Sequence, residues 1–301
     1  MRVRFPLPAP AQLTVDGGNA DVSNDHPIFQ DNPITGSVEL ATGTAPTPYH
    51  VYDGEALLIF GDVGMDAVAA AIEGEEVHLV EARPGRASAG MIMADFRDAS
   101  MGPHHELQFF VLLADQPGQT IADLPLALPI AMASSGYATL CFKLWNDADA
   151  VLAYNNDYLG LNASPAEFRL FQAEAGGAVS FSIADRGGDP ILRGRFGRQR
   201  RTGVSAMWEM LKIAGWRQLM ALGRAPYAKG AVVNRRSLVL SENRKAPIFT
   251  DARHNVARHW NSATDELDIG DARIAGLDFQ PRALQHLWPF RFVYRHPDDH
   301  S

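Results

Sequence analysis

The sequence predicts a β-rich α+β protein whose antiparallel sheet is curved or closed, with few helices. Three observations point there. Short apolar or alternating runs recur from residue 49 to the end of a 301-residue chain, at strand-like lengths. Glycine pairs and prolines punctuate them. Only Ser205–Leu222 sustains a helical period. Many strands with so few helices to cover them favour a sheet that curls on itself.

Residues 1–48, rich in Gly, Pro, Asn, Asp and Thr, read as an irregular arm with short extended pieces. Residues 49–301 read as one domain with a helical insertion at about 205–222. Glu55–Phe60 is an apolar strand. Asp66–Glu73 is a short helix, with Asp66 near its start and Gly74 past its end. Val77–Glu81, Ala89–Phe96 and Glu106–Ala114 follow as strands. A proline-punctuated link, Pro117–Pro129, leads to the strand 138–144. Asn146–Asp157 suits a helix or a turn. Phe168–Ala173, Ala178–Ala184 and Ile191–Arg198 read as hairpin strands broken at Gly176–Gly177 and Gly187–Gly188.

In Ser205–Leu222, Trp208, Leu211 and Ala214 fall at helical spacing, as do Met207, Met210, Ile213 and Trp216. Ser205 is the expected cap and Gly223 the expected stop. Glu209, Lys212, Arg217 and Gln218 form its polar face, with too few positive charges for a membrane-surface helix. A pocket lid or a subunit contact fits better. Strands resume at Ala231–Asn234, Ser237–Leu240, Glu266–Ile269, Arg273–Phe279 and Phe290–Tyr294.

Hydrophobic content of 46% and charged content of 21% are ordinary for a soluble globular protein. A net charge of -8 disfavours a nucleic-acid partner. The lone cysteine, Cys141, excludes an intramolecular disulfide and a Cys-based zinc site. The N-terminus lacks the continuous apolar core of a signal peptide. No window holds the ~18 apolar residues of a membrane span. A cytoplasmic location is expected.

The segment Met91–Leu113 carries the strongest chemical signal. It reads as strand, turn and strand, and Glu106 opens the second strand directly after His104 and His105. Alternation places His104 and Glu106 on one face and His105 on the other. Burial raises a carboxylate pKa, which suits an acid or base; a backbone or arginine bond at the strand entry is the simpler role. His104 and Glu106 lack a third ligand at metal-binding spacing, so no metal is expected. Asp95 and Arg97 share a face, either as an ion pair or with Arg97 clamping a substrate carboxylate.

Asn155, Asn156, Asp157 and Tyr158 form a polar cluster between apolar runs. A turn accounts for it; as a site it offers amide donors, a carboxylate and a phenol. There are four lysines, Lys143, Lys212, Lys229 and Lys245. Lys143, inside ATLCFKLW, is either a buried nucleophile of lowered pKa or a side chain that snorkels outward. Dinucleotide, Walker, zincin and nucleophile-elbow motifs are absent. No cofactor is expected.

The order of elements from about Tyr49 to Arg198 resembles the acetoacetate decarboxylase family. The residues that carry the resemblance are the strand Glu55–Phe60, the Met65-Asp66-Ala67 helix start and the turn Gly102-Pro103-His104-His105-Glu106. DARIAGLDFQPRALQHLWPF resembles the end of that fold more loosely. The resemblance implies an acetoacetate decarboxylase-like curved or closed sheet, with Glu106 at the family's active-site glutamate. His104 stands where many members carry Tyr. Asp157 keeps an acidic position, whereas Ala163 and Ser164 stand where the family has its Schiff-base lysine and the neighbour that tunes it. The family's arginine falls close to Gly54 and its second glutamate near Met91.

The resemblance therefore implies a non-Schiff-base enzyme of this superfamily. Expected chemistry is dehydration, enolisation, retro-aldol cleavage or cyclisation of a small oxo or enol compound, such as a polyketide-like metabolite of secondary metabolism. Glu106, His104 and Asp157 are the catalytic candidates; Arg97, Asn155, Asn156, Tyr158 and Lys143 are the substrate-binding candidates. One alternative is a non-catalytic small-molecule-binding protein on the same fold. Another is a decarboxylase or aldolase-type lyase using a relocated Lys143. A homo-oligomer is expected.

Overall fold

The computed structural model describes residues 25–198, 201–235 and 244–298. The expected strand Ser237–Leu240 lies outside the described residues, as do residues 1–24, half of the N-terminal arm. From residue 27 the chain is regular. A one-turn helix α1 (Pro27–Gln30) is followed by a hairpin of β1 (Gly36–Leu40) and β2 (Gly43–Thr47). The hairpin's largely exposed side chains leave no apolar period, which is why it reads as irregular.

The core of the fold is a closed barrel. Its walls are β3 (Tyr49–Gly64), β6 (Arg86–Ala99), β7 (His104–Ala114), β8 (Tyr137–Asn146), β13 (Ala228–Val233), β14 (Lys245–His259) and β16 (Gln280–Tyr294). The short strands β4 (His78–Leu79) and β5 (Glu81–Arg83) extend β7 and β6. Round the ring the order is β7-β6-β3-β16-β14-β13-β8, and β8 pairs back onto β7. All of these pairings are antiparallel except β13 with β8. β9 (Ala163–Pro165) adds in parallel to the end of β8. Closure removes the unpaired edges that an open sheet of this size would present.

Outside the barrel lies a second sheet of β10 (Glu167–Ala173), β11 (Ala178–Ala184), β12 (Pro190–Gly197) and β15 (Glu266–Ile269). Alternation sorts the wall residues into two cores. Tyr49, Leu58, Phe60, Phe96, Phe110, Cys141, Val232, Ala257, Phe292 and Tyr294, drawn from all seven walls, meet inside. Leu57, Ile59, Met91, Phe109, Phe142 and Trp145 instead meet Leu170, Phe181 and Phe196 of the outer sheet.

Two bulges change the parity of this sorting. Between Val51 and Gly54 the β3–β6 register shifts, so Tyr49 and Val51 face inward and then Ala56, Leu58 and Phe60 do. A Cβ on Gly54 would stand 2.8 Å from Asp95 O, so the bulge needs glycine there. In β8 the register with β7 shifts between Phe109 and Phe110. Cys141 and Leu144 consequently both join the inner core, and the pair between them is turned out.

Helices fill the ends. They are α2 (Met65–Ala71), α3 (Ala127–Met132), α4 (Asp149–Ala153), α5 (Val204–Arg224) and α6 (Ala272–Ala275). The long expected helix is present but bent: Gly215, at φ 71°, breaks it into two halves. Its N-cap is Gly203, without a side-chain bond, rather than Ser205. Glu209, read as part of its polar face, is buried: it accepts from Leu126 N at 2.7 Å and meets His259 Nε2 at 2.5 Å. Val204, Met207, Trp208 and Trp216 are exposed.

The expected strand Arg273–Phe279 is a helical turn. Asp271 caps it by accepting from Arg273 N and Ile274 N, so a local carboxylate bond overrides an ambiguous apolar run. β14 went unread because its middle is polar and exposed, leaving no alternation to see. None of the helices among the described residues is long and apolar enough to cross a membrane.

Candidate functional site in the barrel interior

The barrel encloses a cavity of about 700 Å³. Leu58, Phe60, Ile92, Phe96, Phe110 and Phe292 are part of its apolar wall, and Ile130 and Met132 of α3 and Met210, Leu219 and Leu222 of α5 also line it. The polar side chains on its lining include Glu106, Gln108, Tyr49, Asn155 and Tyr294. Few polar groups on an apolar wall is the ordinary composition of a small-molecule site.

Glu106 enters this cavity because β7 alternates without interruption: His104, Glu106, Gln108, Phe110 and Leu112 share the inward face. Glu106 is part-buried and lines the cavity. Burial pushes its pKa up to about 7, and a bond from Asn146 pulls weakly the other way. Asn146 is the cross-strand partner of Glu106, and its Nδ2 lies 3.5 Å from Glu106 Oε2. A carboxyl of this kind is divided between acid and base near neutral pH, which is the state that general acid/base chemistry uses.

His104, on the same face, packs against Tyr49 and Phe96 and does not line the cavity itself. Its Nδ1 is 2.8 Å from Gly102 O and its Nε2 is 2.6 Å from Tyr49 Oη. Burial lowers its pKa, so the ring is neutral near pH 7. A carbonyl can only accept, so Nδ1 carries the proton and Nε2 accepts from the Tyr49 hydroxyl. The Tyr49 proton is thereby committed, and its oxygen is left to accept from the cavity side. Burial, and then the charge of Glu106, holds the Tyr49 phenol well above its ordinary pKa.

Asn155 sits in a single turn of π-type, Tyr154–Tyr158, closed by Leu159 N donating to Tyr154 O at 3.0 Å. The wide turn places Tyr154 and Asn155 inward. Asn156 does not reach the cavity; its amide clamps the backbone of Ala163, at 2.8 and 3.0 Å. Ala163 itself packs against the inner core. Tyr158 Oη meets Thr47 Oγ1 at 3.2 Å and its ring packs on His296. Asp157 is exposed on the far side of the turn.

The other candidates lie apart. Arg97 pairs with Asp53 at 3.1 Å on a half-exposed surface rather than with Asp95, which instead meets His105 at 3.5 Å. Strict alternation from Cys141 would carry Lys143 into the cavity; the β8 bulge turns it out, opposite Phe109 of the outer core. There it is buried, donating to Asn162 Oδ1 at 3.1 Å and to Ser164 Oγ, with its ammonium 5.5 Å from the Trp145 ring centre. Burial, and then the nearby Arg273, lowers its pKa to about 8. Cys141 is buried with its thiol pushed up to about 12. Among the described residues no cluster of His, Cys, Asp and Glu is arranged to hold a metal ion.

Of the residues singled out from sequence, Glu106 and Asn155 line the cavity and His104 supports it through Tyr49. Tyr49 and Tyr294, Cα partners across β3 and β16, were missed. The signal for Tyr294 was its place two and four residues beyond Phe292 and Phe290, on one strand face.

No protein-family model matches the chain, and no curated protein matches it in sequence. Solved structures match its fold. Acetoacetate decarboxylase from Legionella pneumophila superposes with a TM-score of 0.55 at 13% identity, covering 94% of this chain and 96% of that one. A second acetoacetate decarboxylase structure gives 0.53 at 10% identity, over 83% and 87% of the two chains. The enduracididine biosynthesis enzyme MppR, complexed with pyruvate, gives 0.53 at 14% identity, over 89% and 100%. The chain thus has the acetoacetate decarboxylase-like fold, and at these identities the likeness is one of fold.

Proposed function

We propose that the protein is an enzyme that performs acid/base chemistry on a small oxo compound held in the barrel cavity. The observation that carries this reading is Glu106: a carboxyl with a pKa of about 7 on the wall of a cavity of about 700 Å³. Enolisation is the step that the arrangement supports best. Glu106 takes a proton from the carbon beside a carbonyl, the electron pair moves to the carbonyl oxygen, and the same carboxyl returns the proton to carbon or oxygen. Dehydration, retro-aldol cleavage and cyclisation all pass through such an enol. Three of the four lysines favour a non-covalent route, since Lys143 faces the outer core and Lys212 and Lys245 lie off the cavity lining; Lys229, exposed at the lining, has its ammonium 5.5 Å from the centre of the Phe249 ring.

The test is hydrogen–deuterium exchange at the α-carbons of 4-phenyl-2-butanone, followed by NMR. Wild type accelerates the exchange and Glu106→Gln does not. Equal acceleration by Glu106→Gln rejects the role of Glu106. The exposed apolar side of α5 supports a homo-oligomer: light scattering then finds wild type oligomeric and a Trp208→Glu, Trp216→Glu variant monomeric, whereas a monomeric wild type rejects it.

A further inference from the structure

A second cavity, of about 510 Å³, lies outside the barrel, between the outer sheet and the start of α6. Trp145 of β8, Ser164 of β9, Ile191 of β12, and Asp271 and Arg273 at α6 are on its lining. The β8 bulge that keeps Lys143 out of the barrel delivers it to this side. β9 runs parallel to β8 with Ser164 opposite Trp145, so Lys143, Trp145 and Ser164 share the outward face while Leu144 and Ala163 join the inner core. The Lys143 ammonium bonds Ser164 Oγ and lies 5.5 Å from the centre of the Trp145 ring. The Arg273 guanidinium is 5.8 Å from the same ring centre. Nζ therefore sits against the cavity wall, bonded to one lining side chain and beside another.

A hydroxyl bonded to an amine that can give up its proton is a nucleophile with its base. Lys143 is 2% exposed, and the oxygens it bonds are neutral: Ser164 Oγ, and Asn162 Oδ1 at 3.1 Å. Burial therefore weighs against the ammonium, and its pKa of about 8 leaves a free amine within reach of neutral pH. Asn162 orients that amine. Its Nδ2 donates to Phe142 O at 3.4 Å and its backbone oxygen accepts from Leu144 N at 3.0 Å, which ties it to β8 on both sides of Lys143. Nucleophile, base and a group that orients the base are thus joined by bonds at a cavity wall. Ser164 keeps part of its surface exposed, whereas Lys143 is closed off behind it.

We infer that Ser164 and Lys143 form a second active site, separate from the barrel cavity, in which Ser164 takes the acyl group of a small ester. Neutral Lys143 accepts the Oγ proton as Oγ bonds to the acyl carbon and the carbonyl electron pair moves onto oxygen. The pair then returns, the bond to the leaving oxygen breaks, and the Lys143 ammonium gives that oxygen the proton. Water attacks the acyl-serine next, losing its proton to Lys143, which passes it to Oγ as the acid departs. The sum is ester and water to carboxylic acid and alcohol. An alkoxide leaves more readily than an amine anion, so one lysine serves both transfers for an ester. At each tetrahedral stage the ammonium is a positive charge next to the reacting atoms, where negative charge grows. This site does not rest on Glu106, and either reading can fail alone.

The experiment treats the full chain with 4-nitrophenyl acetate and, separately, with an alkyl fluorophosphonate, reading nitrophenol release and the modified residue by peptide mass mapping. Wild type releases nitrophenol and carries the phosphonate on Ser164, and Ser164→Ala loses both. Labelling of Ser164 accelerates as the pH rises through about 8, where Lys143 becomes a base. Lys143→Met, of similar length but without the amine, slows labelling by at least about 100-fold. Where that variant does not fold, the wild-type pH profile decides by itself. No label on Ser164, nitrophenol release by Ser164→Ala equal to wild type, a labelling rate flat from about pH 6 to 10, or a folded Lys143→Met that labels as fast as wild type overturns the inference.

Discussion

Asn146 faces Glu106 directly across the β7–β8 ladder, with Nδ2 3.5 Å from Oε2. This is the one side-chain bond that opposes burial in setting the acidity of Glu106. Asn146 also anchors the start of α4, its Oδ1 accepting from Ala148 N at 3.1 Å. Asn146→Leu therefore raises the Glu106 pKa above about 7. The pH–rate profile for α-carbon exchange should show its Glu106 limb displaced to higher pH. A loss of rate with the limb unmoved would mean that Asn146 serves α4 alone.

Glu106 also imposes a pH dependence on stability. Its folded pKa of about 7 lies above the ordinary 4.5. Below the ordinary value the carboxyl is protonated folded and unfolded alike, and burial of the charge costs nothing. Between 4.5 and about 7 the folded state holds a proton that the unfolded chain releases, so stability falls as the pH rises across that window and levels off once the pH passes the folded pKa. The whole span is on the order of 3 kcal/mol. Glu106→Gln removes this slope. Thermal melts from pH 5 to 8 should show the variant gaining on wild type as pH rises; parallel curves would contradict the raised pKa.

Tyr49 and His104 form a unit in which the ring accepts the phenol proton. His104→Leu leaves that hydroxyl unpaired, costing about 1–3 kcal/mol of stability. It also frees the Tyr49 proton to compete as a donor in the cavity. His104→Gln, which keeps an acceptor, should restore most of both. A Leu variant as stable as wild type would show that the bond carries no weight.

Lys143 is placed to stay unmodified. Its ammonium bonds Asn162 and Ser164 on the outer side of β8. Borohydride treatment with 4-phenyl-2-butanone, read by intact mass and peptide mapping, should leave no adduct there. A trapped adduct on Lys143 would overturn the non-covalent reading and restore an iminium mechanism.

The strands with clean periodicity were legible from sequence: Glu55–Phe60 within β3, Ala89–Phe96 within β6, Glu106–Ala114 within β7 and the three outer hairpin strands. So was Glu106 itself, because an acidic residue at the head of an unbroken apolar alternation has one face to occupy. The strand β14 was not legible, since its middle residues face solvent and carry no period. The helical turn at Ala272 depended on a carboxylate bond rather than on composition.

The chain's own pattern determined a β-rich fold with a lone inward carboxyl on β7, because alternation and apolar content are properties of neighbouring residues. Tertiary structure alone decided which polar groups share the cavity with it. Tyr49 and Tyr294 are 245 positions apart by their numbers and become partners only when β3 pairs with β16. Lys143 is lost to the cavity through one bulge in β8. A pleat has a period of two, so one extra residue reverses every side chain beyond it. The position of such a bulge is settled by the strand next door.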